Sequence, residues 1–584
     1  MAAPPTNSTS DAPFAAGVIA RIRRVLGVRP PSPQMLVDAW RGGGANAVLK
    51  AIDRRFAANE ARRLETVTQA AAAIRAAGHL DADLPLVVAA TSGGAPAKTS
   101  RRLFRAADDA GNAPLAHAAA TRLEALLATG TTAEPEPAGD DAEALSNFKR
   151  RLSYRLGMIE RLGCAAPSRR VAPAPGRVAY LLQSSLPYVS SGYAIRAHGL
   201  ADALQKRGLD MLCVTRPGFP QVRTGFAPET PVPESEEIDG VRYRRLPFAG
   251  KPTDPDYFDR AADATTDLLV ETRPQLVMAA SPYWNALPGL IAARRIGAPF
   301  HYEVKGFWEI TKASHSPEFA ASKRFEELRA LEGAVARAAD HVFTLTRFMA
   351  GELTRRGVAP ERISLLPNAC DTDRFAPAPP DGELRAELGL PPDIPVIGFI
   401  GSFEPYEGLD DLIRAAAQLR RSGRKFRLLI VGAENSQGPD PGALTAELKR
   451  LSQETGLGDW MVMRPPAPHA QVPALYALTD VVCIPRKPLP VTEMVSPLKP
   501  LEAMAMERAV VVSDVAALTE IVEDGVTGRV FAKGDSDRLA DALAHLVDDA
   551  PLRRSLGAAA RRWVLTERTW EGVAERARRK FVIR

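Results

Sequence analysis

Apolar positions follow two different rhythms along this chain. Up to about residue 170 they recur with helical spacing, and β-branched runs are almost absent. That pattern predicts helices over 35–56, 60–77, 98–128 and 141–162, punctuated by Gly, Pro and Thr clusters such as 129–139. From Ala172 a Pro-rich linker leads into short apolar runs of strand length at 178–182, 211–215, 276–279, 300–304 and 341–345. Helical segments fall between several of them, the first over 194–207. After a second Pro-rich connector at 377–380 the alternation resumes. Strands are predicted at 396–400, 427–431, 460–463, 481–484 and 510–513, with helices at 409–421, 442–454, 472–477, 500–507 and 515–522.

Strands alternating with helices build βαβ units and parallel sheets. The expected fold is therefore α/β: a helical N-terminal region over 1–170, then two Rossmann-like, doubly wound domains over 171–375 and 376–565. A last segment, 566–584, carries a helix near 570–581 that is expected to return to the first of these domains. Two such domains in succession imply a cleft between the carboxyl ends of their strands, where ligands bind.

Composition changes this picture little. Of 584 residues, 46% are apolar and 25% charged, enough for sizeable cores. No run approaches the ~20 apolar residues of a membrane-spanning helix, and the start of the chain lacks the pattern of a secretory signal. Cys164, Cys213, Cys370 and Cys483 stand far apart, without the spacing of a zinc site or a disulfide framework, so a cytoplasmic location is expected. The net charge of +6 suits anionic lipid, phosphorylated ligands or nucleic acid. Nucleic acid is disfavoured by the lack of any recognition motif. Residues 14–28 place apolar side chains beside Arg21, Arg23 and Arg24. They read either as a helix on an anionic membrane surface or as one packed on the next domain, and indifference to anionic vesicles at low salt would remove the first.

Candidate chemistry gathers in 485–507, PRKPLPVTEMVSPLKPLEAMAME. A strand ends there, a loop follows, and a helix begins near Pro500, a residue suited to a first helical turn. The unpaired N–H groups of such a turn favour a diphosphate. Glu502 in that turn and Glu493 in the loop are placed to accept hydrogen bonds from sugar and ribose hydroxyls, and Lys499 to balance a diphosphate leaving group. The plainer reading of Glu502 is a first-turn glutamate favoured by the helix dipole.

Four segments, SSGYAIRAHGLADALQKRG (190–208), LLPNACDTDRF (365–375), GSFEPYEGLDDLIRA (401–415) and PLKPLEAMAMERAVVVSDVAALTEIVEDGVTGRV (497–530), resemble in order a family 4 glycosyltransferase, a retaining enzyme of GT-B fold. The resemblance covers about 400 residues and is nearest to a branch that assembles exopolysaccharide. It implies that Glu502 holds the nucleotide ribose and that Glu493 approaches the donor sugar. It further implies that Ser191, Gly192 and Tyr193 approach the donor phosphates and that Gly432 lies beside the base. Ser496 and Leu498 join this donor-binding set. The sequence departs from the family in two places. Glu493 and Glu502 stand one residue further apart than the family's pair, with Met494 in the usual place of the first. Ser402 and Glu407 replace the Arg and Lys of the phosphate loop. Lys499, Arg486 and Lys305 are then the candidates to meet the diphosphate charge.

On the acceptor side Glu303 and Lys305 lie at the end of a predicted strand, as catalytic groups or members of an interdomain ion pair. Trp308 suits either a sugar ring or a core. His198 reads as a packing residue, and Asp371 and Asp373 sit in the interdomain segment. No metal or other cofactor is expected. The co-substrates implied are a nucleotide sugar and a saccharide or lipid-linked saccharide acceptor. The rival readings are an inactive binding module of the same fold and a sugar-nucleotide epimerase. A dinucleotide oxidoreductase fares poorly, because no GxGxxG follows a predicted strand.

Overall fold

The computed structural model describes residues 167–581, except 224–225, 228–229, 249–255 and 435–441, together with a few positions between 35 and 52. The helices expected over 60–77, 98–128 and 141–162, and the segment 14–28, lie outside the described residues. Met35, Leu36, Val48 and Ile52 are helical. They belong with 318–327 to one compact unit, in which the rings of Phe319 and Phe325 meet edge to face at 6.1 Å.

A second unit holds two sheets. The first has eight strands in the order β3-β4-β2-β1-β5-β6-β7-β8. These are β1 (Arg177–Leu182), β2 (Asp210–Thr215), β3 (Ser235–Ile238), β4 (Val241–Arg244), β5 (Leu276–Ala280), β6 (Phe300–Val304), β7 (His341–Thr344) and β8 (Ile363–Leu365). All pair in parallel except β3 with β4. The second sheet is wholly parallel, in the order β11-β10-β9-β12-β13-β14. Its strands are β9 (Val396–Ile400), β10 (Arg427–Val431), β11 (Met461–Arg464), β12 (Val481–Ile484), β13 (Ala509–Ser513) and β14 (Arg529–Phe531).

Central strands such as β5 (LVMAA), β9 (VIGFI) and β13 (AVVVS) are buried along their whole length, as sheets covered by helices on both faces require. Each large apolar side chain so buried contributes roughly 1.5–3 kcal/mol. β3, β4, β8 and β14 were not expected from the sequence. They are three or four residues long and only partly buried.

The chain crosses between the lobes twice, side by side. The 366–375 segment runs along the return crossing, with Cys370 N–H donating to Arg568 O at 2.8 Å. The helix Trp570–Arg578 then packs on the helix Gly192–Lys206 of the first lobe. Its indole lies where a Cβ on residue 199 would stand 2.6 Å from Trp570 Nε1, so Gly199 lets the helix seat. The strands' carboxyl ends in the two lobes thus face each other.

Candidate active site

A cleft of about 530 Å³ lies between these ends. From the first lobe, Ser191 opens the helix Gly192–Lys206, accepting a hydrogen bond from Ala194 N–H. Gly192 faces Leu498 across the cleft, where an added Cβ would meet Leu498 Cδ1 at 3.7 Å. The Tyr193 hydroxyl accepts from Gln183 N–H at 3.1 Å, and its ring lies beneath Lys305 Nζ, 3.9 Å from the centroid. Lys305 lines the cleft with only a small part exposed. Burial lowers its pKa to about 8, although nearby Glu303 favours the charged form.

Glu303 does not reach the cleft. It is fully buried, and its Oε1 accepts from Arg196 Nε (3.0 Å) and Nη2 (2.7 Å), while Oε2 accepts from Tyr180 O–H. Lys305 Nζ stands 3.4 Å from the same carboxylate. The expectation of a catalytic Glu303 is therefore corrected. All its partners belong to its own lobe, so it is an anchor for Arg196 and Lys305. Burial would raise the pKa of this carboxyl, but Lys305, Arg196 and the Tyr180 hydrogen bond hold it below the usual range. Arg196 spends its remaining donors on Leu366 O, Pro367 O and Asn368 Oδ1.

From the second lobe come Ser402, Arg486, Ser496, Leu498, Lys499 and Glu502. Lys499 begins the helix Lys499–Ala505, with Pro500 in its first turn. The Lys499 stem passes over Gly401, where a Cβ would lie 2.2 Å from Lys499 Cε and where φ is 144°. Gly432 abuts the same turn, since a Cβ there would stand 1.9 Å from Gly401 O. Two glycines in left-handed φ thus admit the lysine, and Gly432 shapes the turn without itself lining the cleft. Glu502 accepts from Tyr476 O–H at 3.1 Å, and burial raises the pKa of its carboxyl. Ser496 O accepts from Asn368 Nδ2 of the interlobe segment at 2.7 Å.

Glu407, which stands in place of a phosphate-loop cation of the family, is buried between two cations. Its Oε1 accepts from Arg486 Nη2 at 2.8 Å and lies 3.0 Å from Lys499 Nζ. Burial pushes its pKa up, but Arg486 and Lys499 outweigh that and bring it down to about 2. Arg486 is fixed further by Nη1 donating to Val495 O at 2.6 Å.

Glu493 is a second correction. The stretch read as a loop forms a short helix, Pro490–Met494, started by its proline and by Leu489 N–H donating to Thr492 Oγ1. That turn carries the Glu493 carboxylate away from the cleft lining, to Lys533 Nζ (2.6 Å) and Ala516 N–H (2.7 Å).

The sequence reading overlooked Arg196, Asn368 and Tyr476. Arg196 lies four residues after Gly192 on one helix, a spacing that places both on the same face. His301 is buried in β6 against His341 and Phe343. Trp308, half-exposed at the start of the helix Trp308–His315, meets Trp284 at 5.5 Å with rings perpendicular, and Trp284 Nε1 donates to Gln183 Oε1. Among the described residues no helix is long and apolar enough to cross a membrane, and no His/Cys/Asp/Glu group has the arrangement of a metal site.

Residues 191–369 match the family described as Glycosyl transferase 4-like domain, and 381–563 match Glycosyl transferases group 1. The D-inositol 3-phosphate glycosyltransferase of Nocardia farcinica is 28% identical over 411 residues, spanning 67% of this chain and 86% of that protein. Its namesake from Kineococcus radiotolerans is 30% identical over 390 residues, spanning 62% and 84%. Sucrose-phosphate synthase from Thermosynechococcus elongatus matches the fold with a TM-score of 0.57 at 22% identity, over 69% of this chain and 97% of its own. Anabaena HepE in complex with UDP-glucose does so with a TM-score of 0.53 at 18% identity, over 69% and 98%. At such identities these structures speak to the two-lobed GT-B fold alone.

Proposed function

We propose that this chain, which belongs to the group 1 glycosyl transferases and is a glycosyltransferase, takes its glycosyl group from a nucleoside diphosphate sugar and transfers it with retention. The observation that carries this reading is the convergence on one cleft of Glu502, Lys499, Arg486 and Lys305 with the Ser191–Tyr193 turn. A carboxylate at the start of a helix suits ribose hydroxyls. Three cations around one space suit a diphosphate whose charge grows as the glycosidic bond breaks. Retention rests on the resemblance to family 4. The acceptor attacks from the face that the diphosphate leaves, and a diphosphate oxygen takes the acceptor proton. The protein's part is then positioning and charge stabilisation. Lys499, Arg486 and Lys305 can compensate the leaving group without a divalent cation, so turnover is expected to persist in EDTA.

The acceptor side is read as taking a saccharide or lipid-linked saccharide for cell-surface glycan synthesis, with Trp308 and Trp284 beside the Lys305 wall. The name shared by the relatives at 28–30% identity favours a second reading, an inositol phosphate acceptor. Thermal stabilisation by UDP, GDP and ADP tests the donor side, using wild type and Glu502→Ala. A ligand at ~100 times its dissociation constant adds about 2.7 kcal/mol to the folded state. One nucleotide is expected to stabilise wild type and to lose most of that effect in the variant. No shift with any of the three would refute the donor site. With the base known, product formation on simple glycosides and on inositol phosphate, with the anomer read by NMR, decides acceptor and stereochemistry.

A further inference from the structure

We infer that Glu407 is a positioning residue of the diphosphate site, holding Lys499 and Arg486 in place and so replacing the cation that the loop itself lacks. The inference rests on the donor reading above and names the residue on which that reading's charge depends. Three separate segments meet here. Glu407 comes from the loop after β9, Arg486 from the end of β12, and Lys499 from the start of the helix Lys499–Ala505. One oxygen, Glu407 Oε1, receives both cations, at 2.8 and 3.0 Å. Glu407 is 2% exposed and Arg486 5%, and the Lys499 side chain is 14% exposed, so both ion pairs are largely shielded from water. Without the carboxylate, two like charges would share one buried wall and push apart. Burial already lowers the pKa of Lys499, and Glu407 is what favours its charged form.

The trio is not saturated. Glu407 Oε2 and Arg486 Nε have no hydrogen-bond partner among the described residues. All three residues line the cleft that receives Ser191, Gly192 and Lys305 from the other lobe. The trio carries a net charge of about +1, and the geometry sets where that charge stands.

This inference and a plain charge effect predict opposite signs. Glu407→Gln makes the wall more positive, so charge alone would tighten binding of a nucleoside diphosphate. If Glu407 positions the cations, the same change weakens binding. Isothermal titration of the full chain with the nucleotide that stabilises wild type is expected to show a loss of about tenfold or more for Glu407→Gln, the worth of one charged hydrogen bond. Glu407→Asp keeps the charge and shortens the reach, so it should also weaken binding; it serves as the decisive variant if Glu407→Gln does not fold. In a Lys499→Met background the further cost of Glu407→Gln should shrink, since the carboxylate then has one cation fewer to place. Unchanged or tighter binding in both Glu407 variants overturns the inference while leaving the donor site standing. Failure of wild type to bind UDP, GDP or ADP takes both down together.

Discussion

On either side of the cleft a buried glutamate holds an arginine and a lysine, yet the two trios differ in what they leave unused. In the first lobe Glu303 gathers Arg196 and Lys305, and every donor of Arg196 is spent on Glu303, on the carbonyls of Leu366 and Pro367, or on Asn368. Tyr180 closes the remaining carboxylate oxygen. In the second lobe Glu407 gathers Arg486 and Lys499, but Arg486 Nε and Glu407 Oε2 stay unpaired among the described residues. A closed trio is a fastener, here tying β6 to the interlobe segment. An open one retains polar capacity at a ligand wall. Buried ion pairs add little to stability relative to apolar packing, yet breaking one by removing a single partner costs heavily. The two lobes should therefore answer differently to the same mutation.

The largest expected effect is on the closed trio. Arg196→Ala leaves Glu303 buried with only Lys305 and the Tyr180 hydroxyl, its Oε1 unpaired, and strips three acceptors of the interlobe segment. It is expected to cost about 3–5 kcal/mol in denaturant unfolding. Arg486→Ala leaves Glu407 with Lys499 and removes one carbonyl contact, so about 1–3 kcal/mol is expected. That variant should also lose the stabilisation by nucleotide. If Arg196→Ala proved milder than Arg486→Ala, the distinction between fastener and ligand wall would collapse.

A buried glutamate with hydrogen bonds but no lysine partner makes the contrast sharper. Glu332 accepts from Tyr302 O–H and from Tyr283 N–H at 2.8 Å, and burial raises its pKa to about 7, with Glu309 nearby adding to the rise. Glu407, between two cations, is brought down to about 2. The slopes follow. Glu332 binds its proton more tightly in the folded state, so its contribution is complete below its unfolded value of 4.5 and is lost as the pH rises through about 7. The loss can reach about 3 kcal/mol, and Glu332→Gln should flatten stability across that window. Glu407 contributes in the opposite sense, fully above 4.5 and lost only as the pH falls toward 2. Denaturant midpoints for wild type and Glu332→Gln between pH 4.5 and 7 test this; parallel curves would show that Glu332 is not the source of the slope.

Much of this was legible in the sequence, for reasons that also explain the failures. Strands buried on both faces appear as unbroken apolar runs, so β1, β5, β6, β9, β10, β12 and β13 could be read directly. β3 (SEEI) and β4 (VRYR) lie at a sheet edge with alternating exposure, and so leave no such run. Lys305, Arg486, Lys499 and Glu502, which line the cleft, could be singled out because they stand at strand ends and helix starts. Arg196 was missed because its partner Glu303 lies 107 residues away, and only folding brings them together. Glu407 was visible as a substitution, but its two cations were not visible as its partners. Pairing of charges across the chain has no local signature.

The smallest effect expected is also the one that checks a correction. Glu493 is partly buried and makes an ion pair with Lys533 whose side chain is 34% exposed. Solvent screens such a pair, so its loss is worth under about 1 kcal/mol. Glu493→Gln keeps an oxygen for Ala516 N–H and leaves the short helix Pro490–Met494 intact, so neither stability nor nucleotide affinity should move by more than that. The first lobe offers the matching control, because Lys305 does line the cleft and Lys305→Met should weaken binding where Glu493→Gln does not. Titration of both variants with the stabilising nucleotide, followed by its sugar-linked form, separates the two. A loss of tenfold or more with the nucleotide sugar in Glu493→Gln would mean that the short helix turns on binding and brings this carboxylate to the donor. Unchanged affinity leaves sugar recognition to the residues that already face the cleft.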